Sequence, residues 1–127
     1  MLKIGYKASA EQFGPDKLLN FSYVAEEVGF DSVFISDHFQ PWKHTDGHAP
    51  ASIPWLGALG ARTKHIVIGT SVMTPTFRYH PSIVAQSFAT LAAMFPNVIK
   101  KIELDVLNNC FSVEMKNGIT HTQCPIE

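Results

Sequence analysis

The stretch Ser32-Val33-Phe34-Ile35-Ser36-Asp37-His38-Phe39-Gln40-Pro41-Trp42 decides how this chain is read. Its first half is a short apolar run rich in β-branched and aromatic residues, the composition of a strand buried on both faces. Its second half delivers a carboxylate, an imidazole and an indole at the strand's carboxyl end. Open α/β sheets and α/β barrels carry their chemistry at that rim. One local sequence thus predicts a fold class and the place of its site.

The flanking segments repeat the same grammar. Residues 2–7 alternate in polarity and predict a first strand, followed by a loop through Glu11 and Phe13. Gly14-Pro15 opens a helix, since proline at the first helical position loses no hydrogen bond. Leu18, Phe21, Ala25 and Val28 recur at spacings of three and four and predict its core face, and Gly29 ends it. The strand at 31–36 follows, then a polar loop over 37–50. Residues 51–63 predict a second helix with Ile53, Trp55, Leu56 and Leu59 inward. Ile66-Val67-Ile68-Gly69-Thr70-Ser71 is a third buried strand. His80-Pro81 then opens a third helix with Ile83, Val84, Phe88, Leu91 and Met94 on its core face.

Strand and helix alternating three times predict a parallel sheet. Three units in about 97 residues, continued to eight, give roughly the 250 residues of a (β/α)₈ barrel. The expected fold class is therefore α/β, an incomplete TIM barrel of about three βα units with an unmatched tail. The tail is marked by composition. Eleven alanines lie between Ala8 and Ala93 and none follows, so residues 1–97 and 98–127 are expected to be different units. Ile102, Leu104 and Val106 alternate as a strand does. Asn108-Asn109 and Asn117-Gly118 are turn signals, so the tail is expected to be strand-rich hairpins or disordered.

The 127 residues are 46% apolar and 17% charged with a formal net charge of −1. That balance predicts a globular protein and argues against nucleic acid or an anionic membrane surface as partner. No apolar run reaches the roughly 18 residues of a membrane span, and the opening reads as a strand rather than a signal peptide. Cys110 and Cys124 have no metal-type spacing, and the expected compartment is the reducing cytoplasm.

Within the predicted rim, Asp37-His38 suits general base chemistry, because imidazole titrates near neutrality and a carboxylate tunes it. The same pair also suits a turn cap and a satisfied loop histidine, and both readings stand. Trp42 offers a flat surface for a ring-shaped ligand or anchors its loop. Ser71-Val72-Met73-Thr74-Pro75-Thr76 ends the third strand on the same rim, where small hydroxyls and backbone can line a planar cofactor, or can simply connect strand to helix. Lys7 and Glu11 project toward that rim, and one of them rather than both is expected to reach the site. Arg78 and Lys43 read as solvated surface charges. His38, His44, Asp46 and His48 match no familiar metal-ligand spacing, so no metal is expected. Gly57, Gly60 and Gly69 make no dinucleotide fingerprint, and neither a P-loop nor a nucleophile elbow is present.

The strings Gly5-Tyr6-Lys7-Ala8-Ser9-Ala10-Glu11-Gln12-Phe13, Ser36 to Trp42, Gly47-His48-Ala49-Pro50 and Gly69 to Tyr79 together closely resemble the N-terminal part of the coenzyme F420-dependent glucose-6-phosphate dehydrogenases. These belong to the bacterial luciferase-like superfamily of barrels, and the resemblance covers residues 2 to about 97. It implies a deazaflavin oxidoreductase: a sugar phosphate gives a hydride from its anomeric carbon to F420, yielding a lactone and reduced cofactor. By position, the resemblance makes His38 the base for the anomeric hydroxyl and Trp42 the indole that positions the reacting carbon. It makes Glu11 an acidic residue beside that carbon. Asp37 becomes a neighbour of the cofactor that supports His38. Ser71-Val72 becomes a strand-end bulge with a cis peptide backing the ring, and Thr74 a polar contact beside it.

The resemblance also implies what residues 98–110 do not show: a glycine-rich fourth strand ending in a glutamate, and later cations that grip the phosphate. The expectation is a truncated, inactive fragment with open sheet edges through which it could self-associate. Two rivals remain: a luciferase-like F420- or flavin-dependent oxidoreductase of another alcohol, and a non-catalytic binding or assembly module.

Overall fold

Three strands, β1 (Gly5–Ala8), β2 (Ser32–Ser36) and β3 (Val67–Val72), pair in parallel in chain order in the computed structural model of the protein. The structure describes residues 2–73, 78–99, 101–106, 109–116 and 119–123, the last three segments by backbone alone. Helices α1 (Pro15–Glu27), α2 (Ser52–Arg62) and α3 (Pro81–Met94) follow the three strands in turn. The arrangement is that of an incomplete TIM barrel.

Proline stands in the first turn of both α1 and α3, and Gly29, at φ 91°, turns the chain out of α1. That left-handed conformation costs glycine little and other residues more. The register places Ala8 beside Ile35, and Val33 beside Ile68. These side chains are fully buried and form one core with Leu18, Leu56, Leu59, Val84 and Phe88 from the helices. On the other sheet face Lys7, Ser32 and Phe34 line an open cavity. In a closed barrel that face would be the interior.

The helices bury narrower stripes than the periodicity predicts. Phe21, Val28, Ile83 and Met94 are exposed, whereas Ser22, Glu26 and Ala92 are buried. The ring of Phe21 instead meets Phe13 edge to face, with centroids 5.3 Å apart. The inward stripe of α1 is Leu18, Ser22, Ala25 and Glu26, and its two polar members conceal it from an apolar count.

Past α3 the core runs slightly further than the change in composition. Val98 and Ile99 are buried, and the Ile68 N–H donates to the Val98 carbonyl at 3.1 Å. Strands β4 (Lys101–Val106), β5 (Asn109–Lys116) and β6 (Ile119–Gln123) then form a separate antiparallel meander in which Ile102 pairs with Val113 and Met115 with Thr120. Asn108, Asn117 and Gly118, where turns were expected, lie outside the described residues. Among the described residues no helix is long and apolar enough to cross a membrane.

Candidate functional site

The carboxyl ends of β1, β2 and β3 and the loops after them bring the predicted residues to one rim. Asp37 follows the last residue of β2, and its backbone N–H donates to the Val72 carbonyl at 2.9 Å, which fastens β2 to β3. Its carboxylate is buried and fully engaged. Oδ1 accepts from the Ser52 N–H at 3.0 Å and from the Tyr79 hydroxyl at 3.4 Å, and Oδ2 accepts from Arg78 Nη1 at 2.9 Å. Arg78 also reaches the Asp37 carbonyl at 3.1 Å and lies near the rings of Phe39 and Tyr79. A carboxylate at the start of α2 satisfies an N–H that the helix leaves free and complements its dipole. Burial raises the Tyr79 pKa, and the Asp37 charge adds to the effect.

This differs from the sequence reading at two points. Among the described contacts Asp37 does not support His38, because its oxygens serve α2 and the loop before α3. Arg78 is not a solvated cation but the partner of a buried carboxylate.

The support for His38 comes from Glu11. Its Oε1 lies 2.9 Å from His38 Nε2, and both side chains are about a quarter exposed. With Nε2–H donating to the carboxylate, Nδ1 keeps its lone pair and is the basic nitrogen. The Glu11 carbonyl accepts from the His48 N–H at 3.2 Å, which ties the β1–α1 loop to the loop after β2. Trp42 meets His38 edge to face with ring centroids 6.1 Å apart, and is 82% exposed. It is therefore no loop anchor. Glu11, Phe13, Trp42, Lys43 and Asp46 line a cleft of about 510 Å³. Asp46 has φ 55°, and a side chain at the following Gly47 would collide with the Lys43 carbonyl, so this loop is tightly folded.

Ser71 and Val72 form the expected bulge. Ile35 pairs with Thr70 but Ser36 with Val72, which leaves Ser71 as the extra residue. Bulges commonly re-aim side chains beside functional sites. The expected cis peptide is absent: every peptide bond among the described residues is trans, the form a non-prolyl bond adopts unless its surroundings compensate about 3 kcal/mol. Thr74 lies outside the described residues.

Lys7 joins the rim as well. Its ammonium donates to the hydroxyls of both Ser36 and Ser71, linking the ends of all three strands. Partial loss of water lowers the Lys7 pKa, and the Glu11 carboxylate opposes that shift. Lys7, Phe34, Thr70 and Ser71 line a cavity of about 400 Å³ on the open sheet face. Among the described residues no cluster of three or more His, Cys, Asp or Glu could hold a metal ion.

The sequence reading missed Glu26 entirely. At the opposite end of the sheet this buried carboxylate accepts from the backbone N–H groups of Lys64, His65 and Ile66 at 2.8 to 3.2 Å. Its position on the stripe of Leu18 and Ser22 was the available signal.

Fold and rim together define a class: the N-terminal units of an α/β barrel that gathers an imidazole–carboxylate pair, an exposed indole and a bulged strand end. The chain belongs to the luciferase-like monooxygenase family, whose model matches residues 2–96. Over 95 residues it is 68% identical to an F420-dependent glucose-6-phosphate dehydrogenase of Microbacterium testaceum, covering 75% of this chain and 28% of that protein. A protein of the same description from Nakamurella multipartita is 65% identical over 98 residues, covering 77% and 29%. A solved F420-dependent secondary alcohol dehydrogenase, in complex with an F420-acetone adduct, superimposes with a TM-score of 0.74 at 45% identity, covering 77% of this chain and 30% of that one. The chain thus spans under a third of the length of these relatives.

Proposed function

We propose that this chain forms the proton-accepting, cofactor-backing side of an F420-dependent dehydrogenase that oxidises glucose-6-phosphate to 6-phosphogluconolactone. The observation that carries the reading is the Glu11–His38 pair beside exposed Trp42, within a segment 68% identical to a relative named for that activity. The rim suits a deazaflavin. The cavity has Phe34 as an apolar wall and a hydroxyl donor at Ser71, and the buried Thr70 Oγ1 in its lining has no partner among the described residues. A bound deazaflavin supplies a two-electron hydride acceptor.

In this reading Nδ1 of His38 takes the substrate hydroxyl proton, and Glu11 holds the ring's orientation and tautomer. Trp42 offers its face to the sugar. Val72 and Ser71 back the cofactor, with Thr74 beside them. Asp37 acts indirectly, by fixing α2, Arg78 and Tyr79 around the strand ends. The pair alone does not complete the reaction: the remaining barrel units supply the phosphate grip, and the isolated chain is inactive. Strands β4 to β6 form a sheet of their own, whereas Val98 and Ile99 belong to the barrel core, and the outer edge of β1 is where further units or a second copy of this chain pair.

The test is a chimaera in which residues 2–96 of this chain replace the matching segment of the Microbacterium testaceum protein. It should bleach the deazaflavin in the presence of glucose-6-phosphate, and His38→Ala should slow that reaction by roughly 10²- to 10⁴-fold. A folded chimaera without this activity contradicts the proposal. The 45% identity to a secondary alcohol dehydrogenase favours a second reading, another alcohol as substrate. Turnover of a simple secondary alcohol in place of the sugar phosphate would select it.

A further inference from the structure

We propose that Lys7 sets the electron affinity of the site: its ammonium, acting through the Ser36 and Ser71 hydroxyls, stabilises the negative charge that hydride transfer brings to an acceptor ring at the rim. The inference rests on the deazaflavin reading above and adds a residue and a role to it.

The geometry carries it in three steps. Lys7 stands on the open face of β1 and donates to two hydroxyl oxygens at once, one at the end of β2 and one at the bulge of β3. A serine oxygen that accepts from an ammonium keeps its own hydrogen to donate elsewhere, and the charge polarises that hydrogen. Among the described residues neither hydroxyl donates to a protein acceptor. Strand alternation puts Ser71, like Gly69, on the face that lines the 400 Å³ cavity, together with Lys7, and the bulge leaves it without a cross-strand partner on β2. The result is one charge-backed donor, Ser71, at the edge of the cavity and a second, Ser36, buried at the end of β2, a donor set for an oxygen or nitrogen that becomes electron-rich.

Hydride transfer creates that need. The substrate C–H bond breaks and both its electrons leave with the hydrogen, while the O–H proton passes to His38 as the carbonyl forms. A bound acceptor ring would thereby take up a hydride, one proton and two electrons, and with it one unit of negative charge. A fixed cation nearby favours the reduced state, and placement of charge beside the ring is a lever proteins use to tune such cofactors. The Glu11 carboxylate opposes the Lys7 charge but is held to His38 at 2.9 Å, on the proton-accepting side. Lys7 is a positioning and tuning residue here, since the hydroxyls stand between it and the ring.

The experiment measures binding of the oxidised and the reduced deazaflavin to the full chain, by fluorescence, for wild type, Lys7→Met, Lys7→Arg and Ser71→Ala. Wild type should prefer the reduced form. Lys7→Met should lose that preference by about tenfold, equal to about 30 mV in a two-electron potential. Lys7→Arg should keep most of it. If Lys7→Met does not fold, Ser71→Ala, which leaves the lysine in place, should still weaken the preference several-fold. A Lys7→Met or Ser71→Ala chain that binds both forms in the wild-type ratio overturns the proposal. A folded wild-type chain that binds neither form overturns the deazaflavin reading itself, and this inference with it.

Discussion

Replacing Glu26 by glutamine should destabilise the chain strongly at neutral pH and hardly at all in acid. The Glu26 side chain is 6% exposed and gathers three successive backbone N–H groups between α2 and β3, with Oε1 at 3.0, 2.8 and 2.9 Å from those of Lys64, His65 and Ile66. Burial by itself raises its pKa, but the three donors, helped by His65 at 3.5 Å, outweigh burial and hold the carboxyl below its usual range. A hydrogen bond to a charged group contributes roughly 1.5–3 kcal/mol and a neutral one about 1. Losing the charge on three such bonds, less the easier burial of a neutral amide, costs about 2 kcal/mol.

Urea unfolding followed by circular dichroism should show that cost as a midpoint lower by about 1 M. Because the folded pKa is depressed, the stabilisation is complete above the ordinary carboxylate value of 4.5 and is lost as pH falls through the lowered folded value. The gap between wild type and E26Q should therefore be full at pH 7 and close in acid. Equal midpoints at pH 7, or a gap that persists after Glu26 is protonated, would refute the reasoning.

Asp37→Ala removes the partner of Arg78 and of the first α2 N–H, and should cost about 3–5 kcal/mol, enough to abolish cooperative thermal melting. Trp42→Ala should leave the unfolding free energy from the same urea titration within about 0.5 kcal/mol of wild type, because the indole is exposed, while reducing substrate turnover in the chimaera. Gly60→Ala would bring a methyl group within 2.5 Å of the Phe95 ring, and should lower stability by about 1–3 kcal/mol in the same titration.

The three strands and the three helices were legible because each rests on local chemistry: apolar runs with proline and glycine punctuation; the bulge at Ser71 was implied by the family resemblance alone. In the tail, the alternation of Ile102, Leu104 and Val106 pointed to a strand, while the pairing of β4 with β5 and β5 with β6 was not read from the sequence. What escaped depends on contacts between residues far apart in sequence. The Arg78 guanidinium meets Asp37 across 41 positions and the Lys64 backbone N–H meets Glu26 across 38, and no local pattern distinguishes these buried carboxylates from solvated ones. The partner of His38 was misassigned for a similar reason. Asp37 is its neighbour in sequence, but consecutive residues leaving a strand point apart, and Glu11 arrives from the other loop. The exposure of Phe21, Val28, Ile83 and Met94 was hidden because periodicity gives the direction of a helix face but not its width.

The most direct test of the account is where a deazaflavin touches this chain. An isotope-labelled sample, titrated with the oxidised coenzyme and followed by amide chemical shifts, should show saturable changes at Lys7, Ser36, Ser71 and Val72. Saturable changes confined to the remote Glu26 end of the sheet, or none in a chain that is folded, would contradict the claim that this rim is a cofactor site.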